Sequence, residues 1–504
     1  MANLYDVLRA RAPSDKSRPF ATLSDGRVFT YADIEDQSAR YAEALLRCGV
    51  AVGDRVAVQA PKCIEMIMLY LGCLRAGAIF LPLNTAYTAG EIDYFLRDSE
   101  PAMFVCDAAQ VDTAGAVAEA VGVPAIETLD ETGGGSLSRL ATAASGRFDT
   151  VACADDAIAS ILYTSGTTGR SKGAMLSHGN LASNALTLVD SWHFTPDDVL
   201  LHALPIFHTH GLFVGTNVTL AAGGSMLFLP KFDPKEILAL LPRATVMMGV
   251  PTFYIRLLGE SGLDRARVAG MRLFISGSAP LSADIHREFR ERTGHAILER
   301  YGMTETNMNT SNPYDGDRVA GTVGKPLPGV EIRIADPETG EPRPQGEVGV
   351  IEISGPNVFS GYWRMPEKTA EEFRNGRFIS GDLGFIDDKG YVSIVGRAKD
   401  LIIAGGYNIY PAEVETALDE LPQVHESAVI GVPHPDMGEG VVAIVVPRDP
   451  AFADGAALTS ALADRLARFK QPRHIVFLPE LPKNTMGKVQ KNVLRERHGG
   501  VFTK

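Results

Sequence analysis

The sequence predicts an α/β protein: a large N-terminal domain of helix-covered sheets with a β-rich subdomain, then a small α+β C-terminal domain. The first observation is length, since 504 residues exceed what one hydrophobic core usually organises. Over roughly the first 400 residues, short β-rich runs alternate with helical patterns, an order typical of helix-covered parallel sheets. From about Gly321, short strands separated by Gly and Pro indicate the subdomain, and a compact α+β pattern follows Asp400.

Individual elements follow from spacing and turn residues. Thr30 and Asp33 are spaced as a capping box, so a helix should begin at Tyr31. Residues 130–148 are small and polar and predict a surface loop. Further helices are predicted at 63–75, 411–420 and 456–468, and strands at 55–59, 78–82, 159–162, 199–203, 225–229, 245–248, 272–276, 296–298, 330–335, 347–354, 391–395, 427–432, 440–446 and 474–478.

A change of texture divides the chain into domains. The β-rich pattern ends at residues 397–400, and a different mixture of helices and strands follows. We therefore predict an N-terminal domain at 1–396, with the β-rich subdomain at about 321–396, a connection at 397–400 and a C-terminal domain at 401–504.

Composition argues against several classes of protein. The net charge of −13 is unfavourable for a general binder of nucleic acid or anionic membranes. The five cysteines are odd in number and form no Cys-x-x-Cys pair, which fits a reducing compartment. The N-terminus lacks the features of a signal peptide, and the most apolar stretch, near 64–82, carries charges that disfavour a membrane span. We expect a cytoplasmic protein without integral membrane association.

Residues 163–173 are the most informative stretch of the chain. They combine hydroxyls, glycines and cations directly after an apolar run that reads as a buried strand. Glycine lets backbone N–H groups approach a ligand, and a lysine supplies a point charge for phosphate. A polyphosphate-binding loop is predicted, with a solvated turn as the alternative. The stretch is not a Walker loop, because Gly173 rather than Ser or Thr follows Lys172.

Three further motifs carry chemistry. Arg300-Tyr301-Gly302-Met303-Thr304-Glu305 places a carboxylate beside a hydroxyl, a pair suited to Mg²⁺. Ser380-Gly381-Asp382-Leu383-Gly384, with Arg397 fifteen residues on, offers an Asp that can hold ribose hydroxyls and an Arg that can reinforce it. Residues 482–488 end in Gly487-Lys488, a lysine that a turn can extend into a neighbouring site.

Together these motifs resemble the acyl-adenylate-forming superfamily of acyl-CoA synthetases, standalone adenylation domains and luciferases. The resemblance spans residues 31–488, with the motifs in the family's order. It implies an AMP-forming acid–CoA ligase that uses ATP, CoA and Mg²⁺. A carboxylate and ATP would give an acyl-AMP and pyrophosphate, and CoA would then displace AMP. It also implies that the C-terminal domain is mobile.

The resemblance assigns roles to residues of the N-terminal domain. Glu305 and Thr164 would bind Mg²⁺, Thr304 would contact the α-phosphate, and His208 would stand at the acyl-site entrance. Asp382 and Arg397 would hold the ribose. The β- and γ-phosphates would contact Thr164, Ser165, Gly166, Thr167, Thr168 and Lys172. The adenine would lie along Ser276, Gly277, Ser278, Ala279, Pro280, Tyr301, Gly302 and Met303.

Other roles fall on the connection and the C-terminal domain. Lys488 would bridge the acyl carboxylate and the α-phosphate, and Lys399 would be the hinge. Related synthetases are acetylated on the lysine of this motif, so a lysine acetyltransferase and deacetylase acting on Lys488 are predicted partners. CoA would contact Gly405, Gly406, Tyr407 and Lys470, although a solvated Lys470 is the simpler interpretation.

Arg300 indicates which acid is activated. It precedes the Tyr-Gly-Met-Thr-Glu motif where relatives commonly place a small residue, and a guanidinium fits a second carboxylate. Residues 299–305 together with Met308-Asn309-Thr310 resemble malonyl-CoA synthetases in particular, so malonate or methylmalonate is expected, with Thr209 and Met308 as further candidates at the substrate carboxylate. The alternatives are an Arg300 paired structurally with Glu299 or another acid, a short-chain, medium-chain or aryl acid as substrate, a standalone adenylation domain, or a non-catalytic nucleotide-binding relative. Arg256 and Arg287 are weaker candidates for the same charge.

Overall fold

The first helix of the N-terminal domain shows how local sequence sets an element. In the computed structural model, which describes residues 3–164, 171–404, 407–463, 465–484 and 487–502, helix Tyr31–Arg47 begins after Thr30. Thr30 Oγ1 accepts from Asp33 N at 3.2 Å, and the Asp33 carboxylate accepts from Thr30 N at 2.7 Å. The predicted capping box is confirmed, and it satisfies N–H groups that the first turn leaves unpaired.

The helices pack mainly on the faces of the sheets. Two α-helices, Ala116–Val121 and Asn217–Ala222, are each directly preceded by a π-helical segment, Val111–Gly115 and His210–Thr216 respectively. The α-helices are Leu4–Ala10, Tyr31–Arg47, Ile64–Ala76, Ala89–Ser99, Ala116–Val121, Ser136–Thr142, His178–Ser191, Asn217–Ala222, Pro234–Leu240, Pro251–Leu258, Ala283–Thr293, Pro366–Glu371, Pro411–Asp419, Gly455–Leu462 and Lys491–His498; short 3₁₀ turns are Ala108–Gln110, Leu241–Arg243 and Ala398–Asp400.

Two large sheets form the body of the N-terminal domain. Most of their neighbouring strands are parallel, as the alternating pattern predicts, and antiparallel pairs close their edges. The six-stranded first sheet has the order Ala125–Thr128, Met103–Cys106, Arg55–Gln59, Ile79–Pro82, Ile158–Thr164, Lys172–Ser177. The nine-stranded second sheet has the order Lys325–Pro326, Asn307–Ser311, Leu298–Met303, Leu273–Ser276, Val246–Gly249, Val199–His202, Ser225–Phe228, Pro19–Leu23, Val28–Thr30.

Two smaller sheets follow along the chain. The antiparallel third sheet contains Glu331–Ala335, Gly349–Ser354, Arg377–Ile386, Phe373–Arg374 and Val392–Arg397. The fourth contains Tyr407–Ile409, Ile402–Ala404, Gly438–Pro447, Val424–His434 and His474–Phe477. The α/β class with β-rich and α+β parts is therefore confirmed. No helix in the described ranges is long and apolar enough to cross a membrane.

Three expectations about local structure are wrong. The helix predicted at 456–468 is Gly455–Leu462, and the described residues from 465 to 468 are not helical. The loop predicted at 130–148 contains the helix Ser136–Thr142. Leu137 and Ala141, four residues apart, lie on the same face of this short helix and are buried. The strand predicted at 296–298 begins at Leu298 and continues to Met303. The 300–305 motif therefore begins inside a strand rather than after it, and successive side chains alternate between its two faces.

Candidate active site

The candidate site lies where strand ends of the two large sheets meet. Thr164 ends the strand Ile158–Thr164, and its hydroxyl donates to Glu305 Oε1 at 3.4 Å. Glu305 follows the strand Leu298–Met303 of the second sheet. Ligands of open α/β sheets bind at the carboxyl ends of the strands. This contact therefore brings the end of the strand Ile158–Thr164 and the 300–305 motif into one cleft.

Lys172 and Tyr362 lie beside Glu305 and Glu372 in the cleft. The Lys172 ammonium donates to Glu372 Oε1 at 2.8 Å and lies 4.1 Å from the centre of the Tyr362 ring. The Tyr362 hydroxyl donates to Glu305 Oε1 at 3.1 Å. Four predicted phosphate contacts, Ser165, Gly166, Thr167 and Thr168, lie outside the described residues.

Glu305 and Thr164 supply the hard oxygen donors that Mg²⁺ prefers. Glu305 is buried, and this burial raises the pKa of its carboxyl, so a cation beside it would stabilise its charged form. Within the described ranges no group of three or more His, Cys, Asp or Glu side chains could hold a metal. An ion here would take one carboxylate, one hydroxyl, phosphate oxygens and water. Mg²⁺ supplies neutralisation of phosphate charge in such sites.

Asp382 joins two predicted nucleoside residues. Its carboxylate accepts from the Tyr301 hydroxyl at 2.5 Å and from Arg397 Nε at 2.7 Å. The register explains the second contact, since Asp382 faces Arg397 directly across two antiparallel strands. Asp382 also raises the pKa of Arg397. A carboxylate has about four acceptor sites, so two remain for ribose hydroxyls.

The predicted adenine segment, Ser276 to Pro280, passes beside Arg300. A Cβ added to Gly277 would lie 2.4 Å from Arg300 Cζ, so only glycine leaves room for the guanidinium. Ser278 has a φ of 73°, a conformation that costs free energy for a residue with a side chain, and its hydroxyl lies 3.2 Å from His210 Nδ1. Gly302 and Met303, which end the strand that carries Arg300, and Thr304, which follows it, are half-buried.

Arg300 belongs to a cluster of buried polar atoms without partners. The residue is 3% exposed, and its Nε and Nη2 make no hydrogen bond. Burial lowers the pKa of Arg300 to about 9, so the guanidinium is charged at pH 7. The same condition holds for His208 Nε2, Thr209 Oγ1, His210 Nε2 and Ser276 Oγ. Buried polar groups are normally paired, so this cluster fits a polar, anionic ligand.

The two histidines of the cluster are neutral at physiological pH. Burial and then the nearby Lys488 lower the pKa of His208 to about 4. Burial, followed by the charge of Arg300, holds the pKa of His210 well below its ordinary value. Arg300 is therefore the cation of this cluster, and the imidazoles can act as hydrogen-bond partners of a bound acid.

Glu299 does not pair with Arg300. The two residues are adjacent in one strand, so their side chains point to opposite faces. Burial raises the pKa of Glu299 to about 8, while backbone N–H groups of Gly321 and Leu281 act in the opposite direction. The alternative in which Arg300 forms a structural ion pair with Glu299 is therefore wrong. Arg256 is exposed, and Arg287 pairs with Asp284 on its own helix, so neither supplies the charge.

Met308 lies on the strand that pairs with the 300–305 motif, and two hydrogen bonds fix the Met308 backbone. It faces Gly302 in the antiparallel pair, and its side chain is 2% exposed. Asn184 clamps it, because the amide Nδ2 donates to Met308 O at 2.9 Å and Oδ1 accepts from Met308 N at 3.2 Å. The structure thus holds the Met308 side chain on the hairpin that carries Arg300.

Lys488 approaches the cleft from the C-terminal part of the chain. Its turn is closed by Gly487, with a φ of 73°, and by a bond from Asn484 N to Lys488 O of 2.9 Å. The residue as a whole is exposed, but its ammonium lies among protein atoms. This desolvation, followed by the charge of Arg397, lowers the pKa of Lys488. The carboxylates of Asp382 and Glu305 act in the opposite direction. Lys488 therefore lies within the electrostatic reach of the nucleotide and acid residues.

The predicted CoA residues are not brought into this cleft by hydrogen bonds. Tyr407 is 55% exposed and stacks on Phe469 at 4.6 Å. Lys470 donates to Glu413 Oε1 at 2.5 Å. Gly405 and Gly406 lie outside the described residues.

The predicted hinge residue lies in a short helical turn. Lys399 belongs to the 3₁₀ turn Ala398–Asp400, and Asp400 Oδ1 accepts from Arg495 Nη2 at 2.7 Å. This ion pair joins the connection to the last helix, Lys491–His498.

Three residues of the site were missed by sequence reasoning: Tyr362, Glu372 and His210. Tyr362 reaches Glu305 because its segment pairs with the strand Lys172–Ser177, a long-range contact with no local signature. Glu372 is one of several acids after Pro366 and looks like a solvated residue. His210 could have been found, since it lies in the same short motif as His208, which was already a site candidate.

Comparison with known proteins defines the family. The AMP-binding enzyme family model matches residues 8–363, and the AMP-binding enzyme C-terminal domain model matches residues 413–488. The chain belongs to this family, the acyl-adenylate-forming superfamily. It is an AMP-forming acyl-CoA synthetase, a ligase that acts on a small-molecule acid with ATP, CoA and Mg²⁺ through an acyl-adenylate.

Three similar proteins are representative, and two of them are named for different acids. Feruloyl-CoA synthase of Amycolatopsis sp is 38% identical over 98% of both chains, and malonate–CoA ligase of Arabidopsis thaliana is 32% identical over 98% of this chain and 89% of the relative. The structure of ATP-bound MatB from Rhodopseudomonas palustris is 58% identical, with 100% of each chain covered and a TM-score of 0.97. The apo form of that protein gives 0.86. The present structure therefore superposes more closely on the ATP-bound form.

Tyr362→Phe should raise the Mg²⁺ concentration needed for half-maximal activity by about ten- to a hundredfold, which corresponds to one lost hydrogen bond to a charged group, worth about 1.5–3 kcal/mol. The reason is that Glu305 loses the hydroxyl that orients its carboxylate. Activity would be measured against Mg²⁺ at fixed ATP. Tyr391→Phe, which loses a bond to the Asp317 carbonyl, is the control. An unchanged Mg²⁺ requirement in Tyr362→Phe would contradict this role.

Proposed function

We propose that this synthetase activates malonate to malonyl-CoA and accepts methylmalonate as a second substrate. The observation that carries the proposal is the buried Arg300 guanidinium, whose Nε and Nη2 have no partner among the described residues. A guanidinium binds a carboxylate through two parallel N–H···O bonds. An acid with a second carboxylate supplies the anion that this group requires.

The relatives' names support several acids, so the choice depends on the pocket. An aryl acid such as ferulate, or a fatty acid, brings an uncharged tail against Arg300. That pairing would leave a charge buried without a counterion, at a cost of several kcal/mol. The malonate–CoA ligase of Arabidopsis thaliana aligns with almost the whole chain. Charge complementarity therefore favours a short dicarboxylate, with Thr209 and Met308 bounding its tail.

The rest of the cleft suits the adenylation step. ATP phosphates would lie on Lys172 and the 165–168 loop, with adenine along 276–280 and ribose on Asp382 and Arg397. A carboxylate oxygen of malonate forms a bond to the α-phosphorus, and the bond to the bridging oxygen of pyrophosphate breaks. Lys488 and Thr304 stabilise the charge that develops there, as preorganised donors do in other sites.

The second step requires another face of the C-terminal domain. The CoA thiolate attacks the acyl carbon, and AMP leaves with the bonding electrons. We assign the pivot to Lys399, the CoA tunnel to Gly405, Gly406 and Tyr407, and the moving unit to 401–504. Acetylation of Lys488 by a lysine acetyltransferase would remove its charge and block the first step alone.

Arg300→Ala should reduce kcat/KM for malonate and methylmalonate by about 30- to several-thousand-fold, as expected when one partner of a buried charge pair is truncated. Acetate and propionate should lose far less, because they present no second carboxylate. The melting temperature should not fall, since the guanidinium has no structural counterion to abandon. Kinetics on the four acids with free CoA, plus a melting curve, measure all three quantities.

The control for this experiment is Arg256→Ala, which removes an exposed arginine from a neighbouring helix. It should leave all four acids unaffected. Equal losses on every acid in Arg300→Ala, with a lower melting temperature, would show that Arg300 is structural and would reopen the identity of the acid. Thioester release that required a carrier protein would instead indicate a standalone adenylation domain.

Lys488→Ala should slow malonyl-AMP formation by about 100- to 1,000-fold, the usual effect of removing one charge-stabilising donor. It should still convert supplied malonyl-AMP and CoA to malonyl-CoA at nearly the normal rate, because Lys488 serves the first step only. Lys483→Ala, on the same turn and paired with Glu426, is the control. Equal damage to both half-reactions would refute the separation of roles.

A further inference from the structure

Glu372 is a carboxylate placed where the bound nucleotide would carry negative charge. Its Oε1 accepts from Lys172 Nζ at 2.8 Å, and Lys172 is the cation assigned to the β- and γ-phosphates. Both side chains are largely enclosed, at 11% exposure for Lys172 and 22% for Glu372. Charges in such surroundings are weakly screened, so a phosphate oxygen arriving at Lys172 would be repelled by Glu372.

A second cation is in position to receive Glu372. Lys368 Nζ lies 3.3 Å from the same Oε1 atom, four residues earlier, at the end of the helix Pro366–Glu371. Oε1 therefore lies between two ammonium groups, one inside the site and one at its edge. A small rotation of the carboxylate would release Lys172 without leaving Glu372 unpaired. The outer cation is 35% exposed and also contacts Glu371 at 2.9 Å.

We propose that Glu372 is an exchangeable counterion of Lys172 that competes with polyphosphate. It holds the ammonium when the site contains no phosphate, moves to Lys368 when ATP binds, and returns to Lys172 as pyrophosphate departs. Its effect is to weaken the binding of pyrophosphate, so that the product does not block the enzyme after adenylation. This inference rests on the proposed role of Lys172 and extends it to product release.

Glu372→Gln tests the inference, because it keeps the shape of the side chain and removes its charge. The inhibition constant for pyrophosphate and the KM for ATP should both fall by about three- to thirtyfold, which equals about 0.7–2 kcal/mol at 1.4 kcal/mol per decade. The KM for malonate should not change, since Arg300 is a separate contact. Glu367→Gln, which changes an exposed acid on the same short helix that is not paired with Lys368, is the matched control and should leave both constants unchanged.

Lys368→Met supplies a second arm. In the otherwise unchanged enzyme it should raise the KM for ATP, because Glu372 then has no second cation to pair with. This effect should largely vanish in the Glu372→Gln enzyme, which has no carboxylate at position 372 to pair with residue 368. A double-mutant cycle isolates that coupling. Unchanged or higher pyrophosphate constants in Glu372→Gln would overturn the inference. Additive effects of the two changes would overturn the exchange with Lys368.

One further variant separates this inference from the function on which it rests. If Lys172→Ala left ATP and pyrophosphate binding unchanged, the assigned role of Lys172 would be wrong. If Lys172→Ala weakened both while Glu372→Gln altered neither, only the competition would be wrong. Loss of malonate selectivity in Arg300→Ala is independent of both results.

Discussion

A charged guanidinium enclosed by protein atoms requires an anion, and Arg300 has none among the described residues. Desolvating a cation costs several kcal/mol unless a carboxylate or a set of acceptors replaces the lost water. Neutral histidines on one side and Gly277 on the other leave the Nε and Nη2 atoms unpaired. The free energy that a second carboxylate would recover here is the physical basis of the proposed selection of a dicarboxylic acid.

The hairpin formed by Leu298–Met303 and Asn307–Ser311 sets the positions of several candidate site residues relative to one another. Strand alternation turns Arg300 and Glu299 to opposite faces of the hairpin, while Glu305 at the turn accepts a hydrogen bond from Thr164. Buried amides hold this hairpin in place: Asn357 Nδ2 donates to Thr306 O at 2.6 Å, and Asn184 clamps Met308. One rigid element thus relates the acid, the nucleotide and the proposed metal position to one another.

Much of this arrangement is legible in the sequence because it depends on local signals. Alternating patterns predicted the sheets, a capping box predicted the helix at Tyr31, and the motifs grouped Asp382 with Arg397, which face each other in the structure. What the sequence could not reveal arises from long-range packing. Tyr362 meets Glu305 across 57 residues, and Glu372 meets Lys172 across 200. Neither position has a local pattern that distinguishes it from a solvated side chain.

A crystal structure with a non-hydrolysable malonyl-adenylate analogue tests the central claim most directly. The account predicts that both oxygens of the free carboxylate lie within about 3.2 Å of Arg300 nitrogens, including Nε and Nη2, in the geometry of a bidentate pair. Lys488 should contact the oxygens around the α-phosphorus in the same structure. A free carboxylate directed to solvent or to another cation, with Arg300 still unpaired, would contradict the account.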